Sequence, residues 1–251
     1  LHKGVCFGCR PWRDAETGRD YVYAGINSTS SMIVQLDVET GRCRSFRMPP
    51  PASGPWGMDF TLEGHVLVTS TDGHLCRLDP RTGKFWITAD MKGQWMWSIA
   101  RGADGKFYLP TSSKCLLFRY DAATEKLEDL GQLDKTEKYP RPVVAGPDGY
   151  LYIAIGAMAS QVIAYHIATG RITPLLPKSE VKPGFHGLAR GQDGQIYAQT
   201  IRGNIYRLAH GEAFFDADLT RKARAERPQM FLANLSRARL PDGRLIELVD
   251  V

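Results

Sequence analysis

No stretch of this 251-residue chain approaches the roughly 18–20 consecutive apolar residues of a membrane-spanning helix, so no such span is expected. Nor is there a run of Lys and Arg. The 32 basic residues stand against 27 acidic ones, and the net charge of +5 is spread along the chain. That pattern argues against a nucleic-acid partner and suits a surface that tolerates or slightly prefers anionic ligands. Cysteine is scarce and odd in number, with five in all. Cys6 and Cys9 form a single CxxC beside Phe7, without the second pair or nearby histidines of a zinc site; Cys43, Cys76 and Cys115 fall in or beside expected strands. Small buried cysteines are the first reading, and a disulfide or metal clip at the N-terminus is the second. The motifs of common chemistries are missing too: no carboxylate pair, no glycine-rich phosphate loop, and no nucleophile elbow with partners. The Asp-Gly dipeptides lack the alternating acidic ligands and closing Glu of a calcium loop. No signal peptide is visible, although a start at Leu1 in place of Met is compatible with an upstream segment having been removed.

What the chain does have is repetition. A short apolar run, an Asp-Gly turn and an alternating strand recur as Trp97-Ser98-Ile99-Ala100 leading to Asp104-Gly105, as Arg141–Ala145 leading to Asp148-Gly149, and as Phe185–Ala189 leading to Asp193-Gly194. The turn glycines Gly64, Gly105, Gly149, Gly194 and Gly243 are spaced by 41, 44, 45 and 49 residues. A self-similar unit of that length built only of short strands predicts the four-stranded blades of an all-β propeller. Five complete repeats and a partial sixth are visible, as in a six- or seven-bladed propeller, forming one domain over residues 1–251 that is open to being incomplete at one or both ends. With 43% hydrophobic residues, one such domain can use the whole chain. In the second unit the strands are expected at 58–62, 65–70, 74–79 and 84–88; in the first, at 21–26, 32–38 and 42–48, after a weakly marked strand near 12–17. The third and fourth strands of each unit are joined by an Asp-initiated turn closing on Gly, at Asp37–Gly41 and Asp79–Gly83, with Glu125 or His166 substituting in other copies. Residues 217–234 interrupt the rhythm as an inter-blade insertion, and 219–227 are charged enough for a short helix. Residues 1–9 are expected either to add an outer strand to the half-blade or to leave closure to a longer chain.

Alternating strand direction sorts the loops. The tight Asp-Gly and Thr-Gly turns share one face, whereas the long, dissimilar connections at 48–55, 89–96, 129–140 and 175–185 share the other, where binding usually lives. Counting eight residues back from each turn glycine reaches the start of each innermost strand: Trp56, Trp97, Arg141 and His186, with Trp12 taken as the match in the first unit. Converging on a channel mouth, the three indoles would stack on a sugar or flat ring, Arg141 would hold a carboxylate, and His186 would move a proton. The alternative for the indoles is plain plugging of the channel. His74, at a third-strand start, is a secondary candidate, and His65, His166 and His210 map to the tight-turn face. Tyr139, Lys135, Lys138, Lys178 and Lys182 lie in loops of the irregular face, where a solvated charged rim is the simplest reading.

The segment Gly184-Phe185-His186-Gly187-Leu188-Ala189, followed by Gln192–Tyr197, and the strand Asn204-Ile205-Tyr206-Arg207-Leu208 resemble the streptogramin lyase (virginiamycin B lyase) family, and more broadly the gluconolactonase-like and NHL-like repeat group. The resemblance covers about residues 50–211. It implies a propeller, and, for the lyase, elimination across an ester by a channel-mouth His and acidic residues around magnesium. His186 matches the His of that family's Pro-His-Gly-Ile segment. The family's repeat ends its second strand in Trp-Phe-Thr-Glu, whereas the matching final positions are Ser70, Thr111, Ile155 and Thr200, so ligands for a divalent metal are not identified. Propeller lyases acting on uronates suggest His186 as base, Tyr139 as acid and Arg141 as charge neutraliser. The expectation is therefore an extracytoplasmic propeller that binds or acts on an anionic sugar-like or ester-containing small molecule or oligosaccharide, a lyase if it is an enzyme. A non-catalytic scaffold docking a protein partner is the alternative.

Overall fold

The computed structural model describes residues 5–27, 30–225, 237–240 and 242–247. Five antiparallel sheets of four strands follow one another along the chain, each meandering in simple order from first strand to last. They are β1–β4 (Val5–Arg13, Asp20–Asn27, Met32–Asp37, Cys43–Arg47), β5–β8 (Pro55–Phe60, Val66–Ser70, His74–Leu78, Phe85–Asp90), β9–β12 (Ala100–Arg101, Phe107–Thr111, Leu116–Asp121, Lys126–Gln132), β13–β16 (Tyr139–Ala145, Tyr150–Gly156, Gln161–His166, Ile172–Pro174) and β17–β20 (Gly187–Arg190, Ile196–Gln199, Ile205–Ala209, Glu212–Asp216). A helix, α1 (Ala217–Ala225), follows the fifth sheet, and a two-stranded ribbon, β21 (Arg237–Arg239) and β22 (Leu245–Glu247), stands where the partial sixth unit is expected. The chain divides into two compact units, Leu1–Met96 with Met230–Val251, and Trp97–Gln229.

Repeated turn chemistry explains the regularity. At each connection between a first and second strand, glycine adopts the positive φ that other residues reach only under strain, as at Gly105 (78°), Gly149 (81°) and Gly194 (78°). The preceding Asp works twice. Asp193 Oδ1 accepts from the Gln195 backbone N–H at 3.0 Å while Oδ2 takes the Tyr197 hydroxyl at 2.6 Å. Asp148 with Tyr152 (2.8 Å) and Asp104 with Tyr108 (2.9 Å) repeat the arrangement. The turn is thereby pinned to the second strand four residues on. The third-to-fourth turns use the same side chain differently: Asp37 Oδ1 accepts from Glu39 N and Thr40 N, both at 3.0 Å. His166 meets this need in its copy through Nδ1 and the Thr169 hydroxyl, 2.8 Å apart.

Second strands carry the core. All five residues of Val66–Ser70 and of Phe107–Thr111 are buried, those of both strand faces alike. In the first unit one cluster joins Tyr23 and Ile33 to Met58, Phe60 and Val68 of the next sheet; in the second, Leu117 and Tyr108 meet Val143, Leu151 and Ile153.

Two expectations at the chain ends need correction. The first strand is Val5–Arg13, not a strand near 12–17; residues beyond it form a turn in which Asp14 Oδ1 accepts from Glu16 N and Thr17 N at 2.8 and 3.0 Å. Residues 5–9 therefore pair with β2 inside the first sheet and add no outer strand to the partial sixth unit, whose Leu240 and Ile246 pack against β1 and β2. The helix within the 217–234 insertion ends at Ala225, and residues 226–234 lie outside the described residues.

Leu151→Ala, which empties a fully buried site in the second strand of its sheet, is expected to cost about 2–5 kcal/mol, whereas Leu62→Ala at a 79% exposed turn position is expected to stay within about 0.5 kcal/mol. Urea midpoints of the two variants check this; equal shifts would contradict the assignment of the core.

Candidate functional site

Within the second unit the starts of the first strands are irregular, and that irregularity aims the side chains. β13 shifts register between Pro140 and Val143, so Arg141 falls in a bulge that re-aims it out of the ladder. Its guanidinium carbon lies 4.3 Å from the Trp97 ring centre and 4.6 Å from that of Phe185. The cation is held between two aromatic faces. Trp97 is itself tied down by its indole N–H, which donates to the Ser112 hydroxyl. Phe185 is braced edge-on by Tyr139, ring centres 6.3 Å apart at 76°. Gly156 allows this approach, since a Cβ there would run into Gly184 O and come within 3.1 Å of Phe185. No hydrogen bond or ion pair reaches the Arg141 guanidinium from the described residues. Half-burial draws its pKa below the usual arginine value, partly offset by the Tyr139 phenol. The group remains a cation. Stacking orients it and leaves its N–H donors uncommitted.

His186 lies next in the chain to Phe185 but turns into the wall. It is 3% exposed; Nε2 donates to Ser160 O at 3.0 Å and Nδ1 accepts from the Ile201 N–H at 3.3 Å. Burial pulls its pKa below the ordinary histidine value, only partly offset by the Ser160 carbonyl and the charge of Glu180. Glu180 is buried as well. One oxygen accepts from the Asn204 amide, and the other meets no partner among the described residues. The imidazole thus ties the 157–160 and 200–204 loops together, and a proton could reach Nδ1 only after the Ile201 bond opened. Glu137 plays a similar strapping part, accepting from the backbone N–H groups of Met158 and Ala159.

The other candidates belong to the first unit. Trp56 occupies the register shift between Pro55 and Met58, at the end of β5 away from its tight turn, which is the place the glycine count assigns it. Trp12 does not share that place. It pairs with Tyr21 at the tight-turn end of its hairpin and stacks on Phe60 at 4.6 Å and 20°, as part of the core. The physical reason is the earlier start of β1, which shifts the count; eight residues before Gly18 stands Arg10, which donates to Met58 O at 3.3 Å. His74 closes a small polar loop through Nδ1 and Asp72 Oδ1 at 3.0 Å, with Ser53 on the other carboxylate oxygen at 3.1 Å. Among the described residues, no three His, Cys, Asp or Glu side chains gather as metal ligands.

No protein-family model and no curated protein matches the chain. Solved structures do. Virginiamycin B lyase from Staphylococcus aureus superposes with a TM-score of 0.67 at 17% identity, over 86% of this chain and 73% of that one. A streptogramin B lyase gives 0.64 at 16%, over 98% and 90%, and an auxiliary nutrient-binding protein from Bacteroides ovatus gives 0.56 at 14%, over 81% and 55%. The chain is a β-propeller. Its structural neighbours are virginiamycin B lyase-like propellers, and at these identities the likeness speaks for the fold alone. Its sheets are the propeller's blades. Phe185, which with Trp97 brackets Arg141, escaped the count because it sits one place before the counted position; an aromatic next to the counted His was the available signal. Ser112 and Gly156 carry no signal in a single sequence.

His186 offers a direct check on the strap. The unfolded chain protonates it near the ordinary value of 6.5 and the folded chain only at lower pH, so the stability that the neutral ring contributes is complete above that value and lost as pH falls below it. In His186→Gln that loss is expected to vanish, so the stability difference from wild type shrinks between about pH 7 and pH 5. A difference that stays constant with pH would contradict the buried neutral ring.

Proposed function

We propose that this propeller binds a carboxylate-bearing, sugar-like ligand on the shelf formed by Trp97, Arg141 and Phe185. The observation that carries this reading is the Arg141 guanidinium, stacked between two aromatic rings with its N–H donors unspent. Such a group pairs with a carboxylate through two parallel hydrogen bonds, while the ring edges offer apolar surface to a sugar face. Tyr139 lies beside Phe185 and can add a hydroxyl contact. The neighbours support a ligand-handling role in a general way, since one is a nutrient-binding protein and others are lyases. An extracytoplasmic location fits a ligand of that class.

Elimination is the catalytic form of this reading. One neighbour was solved as a catalytically inactive histidine variant with quinupristin, so a histidine matters to that enzyme. Here His186 would serve as the base only on releasing Ile201, with Arg141 stabilising the enolate that forms. A protein-docking surface is a second reading, favoured by the exposure of Met158 (75%), Phe185 (44%) and Ile201 (43%).

Calorimetric titration with oligogalacturonate and with its fully methyl-esterified form tests the proposal. The acidic oligomer is expected to bind and the ester not; Arg141→Ala is expected to weaken binding by roughly tenfold to a hundredfold, the worth of hydrogen bonds to a charged group. Binding that ignores the ester, survives Arg141→Ala unchanged, or is absent for the acidic oligomer would overturn it. Appearance of conjugated double-bond absorbance, lost in His186→Ala, would identify the catalytic form.

A further inference from the structure

The CxxC of the first strand is the one sequence motif that the shelf leaves unused. In an unbroken strand, residues three apart point to opposite faces. β1 instead shifts register between Cys6 and Gly8, so that Cys6 stands opposite Ile26 and Cys9 opposite Ala24, two positions of β2 that share a face. The inserted residue thus turns both thiols to the same side, with their sulfurs 3.7 Å apart. Both side chains pack with Ala24 and Ile26, and with Leu240 and Ile246 of the β21–β22 ribbon. Cys9 is buried and Cys6 is partly open to solvent, which makes Cys6 the more accessible residue of the pair. A bond of about 2.0 Å needs only a small approach of the two. A zinc site would need two further ligands, and none joins the pair among the described residues.

We propose that Cys6 and Cys9 are a redox-active pair, Cys6 attacking and Cys9 resolving, which closes to a disulfide by exchange with a small-molecule disulfide of the glutathione class. The Cys6 thiolate attacks one sulfur of the external disulfide, giving a mixed disulfide and releasing the first thiolate. Cys9, losing its proton, then displaces the second thiolate from Cys6 Sγ. The two protons end on the two released thiolates, and the two electrons of the protein thiols go to the external disulfide. The division of labour has an electrostatic basis: the Cys9 hydrogen bond draws Cys6 down to about 7, and the same contact, with burial, pushes Cys9 up. Closing the pair would lock the bulge on which the β21–β22 ribbon packs.

Incubating the native protein with oxidised glutathione tests this. The five thiols counted before treatment are expected to fall to three, with a mass lower by two hydrogens that maps to the peptide holding residues 6 and 9. Cys9→Ser is expected to accumulate a stable glutathione adduct at Cys6, and Cys6→Ser none at Cys9. In Cys43→Ser, which removes the exposed cysteine, four thiols are expected to fall to two, with the disulfide at the same peptide. Five persistent thiols in the wild-type protein, a disulfide that maps to other cysteines, or an adduct on Cys9 rather than Cys6 would overturn the assignment; the wild-type measurement does not depend on any variant folding.

Discussion

One carboxylate used twice sets the frame for the rest of this chain. In each Asp-Gly turn of the second unit, the Asp holds the turn's backbone with one oxygen and a tyrosine hydroxyl with the other. The tyrosine lies four residues on, within the second strand; Tyr108 and Tyr152 are fully buried between sheets. Fixing the turn to a core ring fixes where the first strand must begin its return, and hence which residue lies eight places earlier. In the first sheet Thr17, and in the second Glu63 and Leu67, stand where the other three have Asp and Tyr; the second sheet's turn relies on Thr61, whose backbone and hydroxyl bond Gly64 and His65. The architecture tolerates sheets without such a clamp because burial of both faces of the second strand holds register independently.

A uniform face on one side leaves all variation to the other. First strands are regular near the tight turn and break at their far end, with register shifts in β1, β5 and β13 and only two ladder residues in β9. Each break turns a side chain away from its ladder position. The same local device therefore yields an arginine shelf in one blade and a thiol pair in another, without disturbing the core behind either. Glycine makes the shelf possible from the rear, since Gly156 lets the Phe185 segment approach closer than any side chain would permit.

The sheets were legible in the sequence because turn glycines and alternating strands are local signals. The start of β1 was not. Val5–Arg13 contains a glycine, a proline and a bulge, which erase the alternation that marks a strand, and the polar turn after it resembles the weak strand sought there. That single misplacement carried Trp12 to the wrong end of its blade, where Phe60 stacks on it. Arg141 stands at the strand start to which the count leads, because the count is anchored to a clamp; its stacking on Phe185 could not be read, because stacking across blades leaves no trace in spacing. The partners of His186 are backbone atoms of Ser160 and Ile201, and a backbone atom has no letter in a sequence.

What separates a binding shelf from a catalytic one in this fold is the fate of a lone pair. A guanidinium between rings needs nothing further to attract a carboxylate, because its charge persists and its donors meet no acceptor among the described residues. An imidazole needs a vacant nitrogen, and the backbone of two loops takes both of those of His186. Of its two bonds, the longer one, from Ile201 N–H at 3.3 Å, is the weaker, and it is the one that occupies the basic nitrogen. Movement of the 200–204 loop alone, leaving Ser160 in place, would therefore expose Nδ1 in the tautomer a base requires. The carboxylate capture proposed for Arg141 would need no rearrangement, whereas the proton transfer proposed for His186 would need that loop displacement.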